Sequence, residues 1–368
     1  MAEEATRALA MLGAAWVSSA IAIVLLSRVA PRMGLVDVPG GRKAHARAVP
    51  LVGGIAVFAA LLLAAWAGGI AHAASWFLLS LAVVIMVGLW DDVTDLAPRL
   101  KLAIQVVASG IMIWGAGVEL HSVGDLLGWR AIGLWVFGVP LTIFSIVGVV
   151  NAVNMMDGLD GLGGSVALVA FAWYAVIAGA SGLDPQFHVA VILCGAIAGF
   201  LLFNLRFPWQ SHARVFLGDA GSLMIGFALG WFAIDLTQGP GRTLPPIAAL
   251  WVLLLPLADC VSLMARRIAR GRSPFMADRH HIHHYLLARG FTPNQVVAIL
   301  AAASGLFGAV GYCGWQLGVP EPALFWPFFV GFFLYHAWIQ RAWRRVEATR
   351  HASTPLLSLD EDEVRVAG

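Results

Sequence analysis

Eleven runs of mostly apolar residues, each 17 to 20 long, dictate what this chain can fold into. They lie at 8–26, 51–70, 71–90, 102–118, 132–150, 162–180, 187–203, 218–234, 246–265, 296–315 and 323–339. A helix needs about 20 such residues to cross the ~30 Å hydrocarbon core of a bilayer, so each run reads as one span. Composition agrees: 60% of the 368 residues are hydrophobic and 12% are charged, against roughly 45–50% and about 25% in a soluble domain. A single globular core stops growing near roughly 250–300 residues and cannot hide that much apolar surface. A soluble enzyme and a disordered chain are both excluded. The expected fold is an all-α integral membrane protein of about eleven transmembrane helices. Residues 1–345 read as one polytopic domain, and 346–368, with four consecutive acidic residues from Asp360, as a disordered cytoplasmic tail. The first run follows Glu3 and Glu4 without a small-residue cleavage site, so it reads as a retained helix. Cys194, Cys260 and Cys313 all sit inside apolar runs at unrelated spacings, which indicates neither a disulfide framework nor a cysteine metal site.

The net charge of +2 conceals a strong asymmetry. Placed on alternating sides of eleven spans, all 23 basic residues but Arg7, Arg130 and Arg242 fall together. That side holds Arg28, Arg32, Arg42, Lys43 and Arg47, then Arg99 and Lys101, then Arg206 and Arg214. It also holds six arginines from Arg266 to Arg289, and Arg341, Arg344, Arg345, Arg350 and Arg365. Cytoplasmic loops carry such an excess, so the N-terminus is expected outside and the C-terminus inside. The clustered polar side chains share the basic side, and the expected active site is formed by cytoplasmic loops. A transporter would instead gather ionisable residues near the bilayer midplane; apart from Asp219 at the very start of its run, Asp259 is the one carboxylate inside a run, near its cytoplasmic end.

Five polar groupings stand out. Asp91 and Asp92 follow the third run, with Asp95, Arg99 and Lys101 close behind. Adjacent helical residues point about 100° apart, so such a pair can serve a metal and a second ligand, or merely cap the helix. Asn151, Asn154, Asp157 and Asp160 recur at steps of three among Gly158, Gly161, Gly163 and Gly164. On a helix that spacing shares one face, although the same residue types also populate turns. Asp219 sits between Gly218 and Gly221 at a helix mouth, as an N-cap or a metal ligand. Four of the eleven histidines, His280, His281, His283 and His284, crowd into five positions near Arg272 and Arg279. His280 and His284 would share a helical face at a zinc-like i, i+4 spacing, yet no Glu accompanies them, and the arginines favour phosphate. Finally, Asp37 to Gly54 forms a glycine-bearing basic loop with Arg42, Lys43 and His45, suited to phosphate or simply to the cytoplasmic side.

Four of these stretches, in this order and on one side, resemble the polyprenyl-phosphate N-acetylhexosamine-1-phosphate transferases. The carriers are Gly-Leu-Trp-Asp-Asp-Val from Gly88, Asn-Ala-Val-Asn-Met-Met-Asp-Gly-Leu-Asp-Gly from Asn151 and Val-Phe-Leu-Gly-Asp-Ala-Gly-Ser from Val215, followed by Gly-Arg-Ser-Pro-Phe and Asp-Arg-His-His-Ile-His-His in the loop after Gly271. Eleven spans, the His-Ile-His-His form and the basic tail look like the WecA branch, and the ten-span muramyl-pentapeptide branch looks more distant. The resemblance implies transfer of N-acetylglucosamine-1-phosphate from UDP-N-acetylglucosamine to undecaprenyl phosphate, with release of UMP, at the inner membrane of a bacterium. It implies Mg²⁺, with Mn²⁺ as the substitute ion. By matching positions, Asp219, Asn151 and Asp91 look like metal contacts, and Asp91, Asp92 and Lys101 like the catalytic set. Asp92 would matter for organising the acceptor, since a phosphate monoester with a second pKa near ~6 hardly needs a base. Asn154, Asp157 and Asp160 look like donor contacts, and Arg272, His280, His281, His283 and His284 like contacts to the diphosphate or sugar. The expected partners are both substrates and the bilayer, with a homodimer as an option and no nucleic acid. Other readings are the same chemistry with another UDP-N-acetylhexosamine or deoxyhexosamine, a lipid-phosphate transporter, or a scaffold with a degenerate site.

Overall fold

The computed structural model describes residues 2–38, 48–239, 242, 244–274 and 280–352. Arg42, Lys43, His45 and Arg47 of the first basic loop, Arg279, and the acidic end of the tail lie outside the described residues. In chain order the helices are α1 (Ala2–Val29), α2 (Gly53–Ala67), α3 (Ser75–Thr94), α4 (Pro98–Ala116), α5 (Gly138–Met156), α6 (Leu162–Ala180) and α7 (Asp184–Asn204). They continue with α8 (Gly218–Asp235), α9 (Pro246–Val252), α10 (Leu254–Ala269), α11 (Ile282–Ala288), α12 (Pro293–Gln316) and α13 (Glu321–Ala352). A two-stranded antiparallel ribbon, Val36–Asp37 with Val49–Pro50, joins α1 to α2.

Each of the eleven apolar runs overlaps a helix, or for 246–265 a helix pair. Among the described residues eight helices are long and apolar enough to cross a membrane, or nine if α9 and α10 count as one span bent by 80° at Leu253. The other two runs fall on α2, of 15 residues, and α8, of 18 residues with Asp219 and Asp235 at its ends. The molecule is an all-α membrane protein. α8 is weakly apolar for a physical reason: it faces protein and not lipid. Every residue from Ala220 to Phe232 is buried, against α2, α3, α5, α6 and α9. By contrast α13 buries only 11% of its apolar window, where α6 and α7 bury 61%, so α13 runs along the periphery.

Without a hydrophobic drive between helices in lipid, close packing of small residues holds such a bundle. A Cβ on Gly54 or Gly88 would come within 2.3 Å of the α8 backbone, at Gly221 and Ala220 respectively. α2 and α3 therefore seat directly on the first turn of α8, which carries Asp219.

The local structure differs from the sequence expectation at three places. α3 extends to Thr94 and α5 to Met156, so Asp91, Asp92, Asn151 and Asn154 are helical residues and not loop residues. α11 begins at Ile282, so His280 and His281 precede it and the i, i+4 relation of His280 to His284 does not arise. α13 continues through 346–352, into the stretch expected as a disordered tail.

Candidate active site

The ends of α3, α4, α5 and α8 bring one set of polar groups together. α3 stops at Asp95, which turns left-handed (φ 52°), and Leu96 N–H then donates to Asp91 Oδ1 at 2.7 Å. The other Asp91 oxygen accepts from Lys101 Nζ of α4 at 2.7 Å, and the same ammonium lies 3.4 Å from Asp219 Oδ2 of α8. Asn154 of α5 completes the ring: its Nδ2 donates to Asp219 Oδ1 at 2.8 Å and to Ser222 Oγ at 2.8 Å. Two carboxylates from different helices are thus held together by one lysine, and Asp219 is held also by one amide. Their exposure separates their roles. The Asp91 side chain is 2% exposed and that of Asp219 is 36% exposed, so Asp219 is the accessible carboxylate and Asp91 braces Lys101 behind it.

Asp92, next to Asp91, points to another partner, as adjacent helical residues must. Its Oδ1 accepts from Asp219 N–H at 2.7 Å and its Oδ2 from Ala220 N–H at 3.1 Å. These are unpaired donors of the α8 first turn, where the helix dipole also favours an anion. Asp92 is a cap supplied by a neighbouring helix. Gly218 makes room for it, with φ +73° and a notional Cβ that would lie 2.5 Å from Asp92 Oδ2.

Asn151 and Asn154 divide in the same way. A step of three on a helix leaves residues about 60° apart and most of a turn displaced. Asn151, expected beside the metal, instead donates to Gln105 Oε1 of α4 at 3.0 Å and to its own helix at Val147 O, and it is Asn154 that meets Asp219. Asp157 ends α5 and lies against Gly163 at the start of α6, where a Cβ would fall 2.3 Å from its Oδ1. Burial, and then the Asp219 charge, push its carboxyl up to about 7, opposed by a hydrogen bond from the Gly163 amide. Asp160 is occupied structurally, accepting from Arg206 Nε at 2.8 Å and Ala213 N–H at 3.1 Å.

The histidines form a second group, at and before the start of α11, which packs on α12 and α13. His281 Nδ1 lies 2.8 Å from Asp259 Oδ2, and Nε2 of His280 lies 3.2 Å from Glu347 Oε1. The rings of His281 and His283 stack with centroids 5.3 Å apart, and His283 and His284 are 4.2 Å apart. His283 is 1% exposed and both its ring nitrogens lack a hydrogen-bond partner among the described residues. Burial, with the neighbouring His284 and His281, lowers its pKa to about 3, so the ring is neutral at physiological pH. It abuts the turn after Asp157, where a Cβ on Gly158 would lie 2.8 Å from His283 Nε2. That contact joins the two groups. Arg272 lies in the loop after α10, and its backbone N–H donates to Arg267 O at 2.9 Å.

Several contributing residues escaped the sequence reading. Ser222 lies one turn after Asp219 and carried a usable signal by that spacing; Gln105 is a buried amide in an apolar run and carried a weaker one. Tyr335 and Glu347, from the last helix, carried none.

Asp91, Asp219 and Ser222 offer hard oxygens here, the kind Mg²⁺ prefers, and Lys101 Nζ and Asn154 Nδ2 donate to them; the Asn154 side chain also carries an amide oxygen of that kind. The histidine group offers nitrogens, which suit directional hydrogen bonds to anionic oxygens.

Residues 74–237 match the family described as Glycosyl transferase family 4. The chain is 36% identical to an undecaprenyl-phosphate alpha-N-acetylglucosaminyl 1-phosphate transferase of Haemophilus influenzae over 88% of its own length and 92% of that relative. Proteins of the same description from Salmonella typhi and Escherichia coli K12 are also 36% identical, over 88% and 86% of this chain and 89% and 87% of theirs. With the Lys101-bridged carboxylates seated where α3, α4 and α8 converge, and likeness of this extent along almost the whole sequence, the chain belongs to glycosyl transferase family 4, the family of the polyprenyl-phosphate sugar-1-phosphate transferases.

Proposed function

We propose that this protein transfers N-acetylglucosamine-1-phosphate from UDP-N-acetylglucosamine to undecaprenyl phosphate, releasing UMP and starting a lipid-linked surface polysaccharide. The observation that carries the reading is the Asp91–Lys101–Asp219 cluster, two carboxylates sharing one ammonium and so left net acidic, at the ends of apolar helices. A lipid phosphate can reach such a site from the membrane while a nucleotide reaches it from water.

The product composition fixes the bond changes. An oxygen of the lipid phosphate attacks the phosphorus that carries the sugar, the bond from that phosphorus to the bridging oxygen breaks, and UMP leaves with that oxygen. Both reactants are anions, so positioning and charge neutralisation supply most of the catalysis. Asp219, Asp91 and Asn154 would hold Mg²⁺, or Mn²⁺ in its place, which supplies positive charge between the two reactants. Asn151 then supports this wall through Gln105. Lys101 braces the two carboxylates and offers its point charge to the lipid phosphate. Asp92 acts by capping α8 and so fixing Asp219, with both oxygens already engaged by backbone amides. Asp157, ionised, accepts from the uracil imide. Asp160 supports that contact from its ion pair with Arg206. Arg272 and the four loop histidines meet the diphosphate or sugar. His283, with two buried nitrogens lacking partners among the described residues, has the most to gain from such a contact.

The membrane arrangement in this reading has eleven spans, with α2, α8 and the bent α9–α10 pair each counted once. The N-terminus faces outward and the basic loops, the site and the tail face the cytoplasm of a bacterial inner membrane, as the one-sided Lys and Arg support.

The test is product analysis by mass spectrometry, with the full chain in lipid nanodiscs, undecaprenyl phosphate and a panel of UDP-sugars. Formation of the lipid-diphosphate-linked N-acetylglucosamine in preference to other products is the expected result. Faster loading of another N-acetylated sugar would reassign the donor, and no loading from any would overturn the reading.

A further inference from the structure

Asp259 is a buried acid that the reaction described above does not use. It is 1% exposed, on α10. Both its oxygens are engaged: Oδ1 accepts from Tyr335 O–H at 2.8 Å and from Ile282 N–H at 3.0 Å, and Oδ2 faces His281 Nδ1 at 2.8 Å. An ionised carboxylate only accepts, so the proton of His281 sits on Nδ1 and its Nε2 is left for another partner. Nε2 has no hydrogen bond among the described residues. Tyr335 belongs to α13, the peripheral last helix, which touches α10 and the histidine loop elsewhere as well. His336 Nδ1 lies 3.0 Å from Ser262 Oγ of α10, Glu347 reaches His280, and the Trp343 ring lies 4.8 Å from that of His280. Packing of α10 on α13 alone would cost less with apolar side chains, because a buried carboxylate must recover its desolvation through such bonds.

We propose that Asp259 and Tyr335 are positioning residues. They fix the tautomer and ring plane of His281 so that Nε2 meets an oxygen of the donor diphosphate, which makes the last helix a working part of the active site. This rests on the reading of His281 as a diphosphate contact. Asp259 and Tyr335 touch no substrate themselves, and their effect passes through one imidazole, as an orienting carboxylate does in other histidine sites.

The test uses the full chain in nanodiscs, with Asp259→Asn and Tyr335→Phe. The second removes one O–H and keeps the ring, so it decides the matter if the first fails to fold. Inhibition by UDP and by uridine is measured beside kcat and KM for UDP-N-acetylglucosamine. Asp259→Asn is expected to lower kcat/KM and weaken UDP about tenfold, and Tyr335→Phe about threefold. Uridine, which lacks the diphosphate, keeps its affinity in both. In a His281→Ala background Tyr335→Phe has no further effect on UDP, as coupling through one ring requires. Wild-type behaviour of both variants would overturn the proposal, as would equal weakening of UDP and uridine, which marks a general loss of structure. So would a stoichiometric transition metal in the purified protein, since Asp259, His281 and His283 also place ligand atoms within 4.8 Å of one another. Absence of UMP release by the wild type overturns the function reading and this proposal together, whereas turnover indifferent to both substitutions overturns this proposal alone.

Discussion

The carboxylate group at the mouth of α8 and the histidine group beside α13 meet the cost of buried polarity in opposite ways. In the first, opposite charges from three helices converge, and Lys101 binds Asp91 and Asp219 into one unit whose outer member remains open. In the second, a fully occupied Asp259 holds His281, while the neutral His283 keeps two nitrogens unpaired among the described residues. The difference teaches a division of labour. Strong, screened charge gathers where two anions must be brought together, and neutral or singly held imidazoles wait where an anionic ligand must be read by direction. The first group sits on the most deeply packed helix of the bundle, and the second hangs from the most peripheral one.

If that division holds, substitutions should grade from the first group to the second. Asp219→Asn removes the one open carboxylate of the charge cluster, and UMP release should fall by about a thousandfold or more. The variant should remain folded, as judged by unchanged thermal unfolding in nanodiscs. Lys101→Met leaves two carboxylates facing each other without their shared cation. Turnover should drop about a hundredfold, and Lys101→Arg should not restore it, because a planar fork cannot replace a point charge between the two acids.

The next prediction concerns pH. The Asp157 carboxyl is raised from 3.8 to about 7 by burial. Its ionised form is therefore depleted below about pH 7, and kcat/KM for the donor should decline as pH falls through that value. Asp157→Asn should lower the plateau and abolish this limb, leaving the phosphate titration near pH ~6. The stability effect runs the other way. A carboxyl with its folded value raised stabilises the protein while protonated, and that contribution is lost as pH rises from about 4 to about 7. Asp157→Asn should thus unfold at higher temperature than wild type above pH 7. The smallest effect is expected at Asp160→Asn, which loses a partly exposed pair with Arg206. Stability should change by within about 1 kcal/mol and turnover by less than about threefold.

Apolar periodicity made the helices legible, because span length is set by bilayer thickness and hardly by local context. The short α2 and the weakly apolar α8 blurred the count, since helices buried among other helices need not be long or greasy. Asp91, Asp92, Asp219 and Lys101 were legible as a one-sided set. Their partners were not, because which face a helical residue presents depends on a few degrees of rotation: Asp91 and Asp92 separate by about 100° to serve Lys101 and the α8 amides. Asn154 took the place beside Asp219 expected of Asn151, which pairs with Gln105, for the same reason. Asp259 was visible as a lone acid in an apolar run, but Tyr335, 76 positions away on a peripheral helix, left no trace in local sequence. Contacts between distant helices are a property of packing, and no spacing encodes them.

The most direct test of the two-group site is UMP release from UDP-N-acetylglucosamine by the purified full chain, with and without undecaprenyl phosphate and with Mg²⁺ or a chelator. Release that needs both the lipid phosphate and the divalent ion, and that Asp219→Asn abolishes, is the expected result. Release without the acceptor, release unaffected by the chelator, or wild-type release from Asp219→Asn would contradict it.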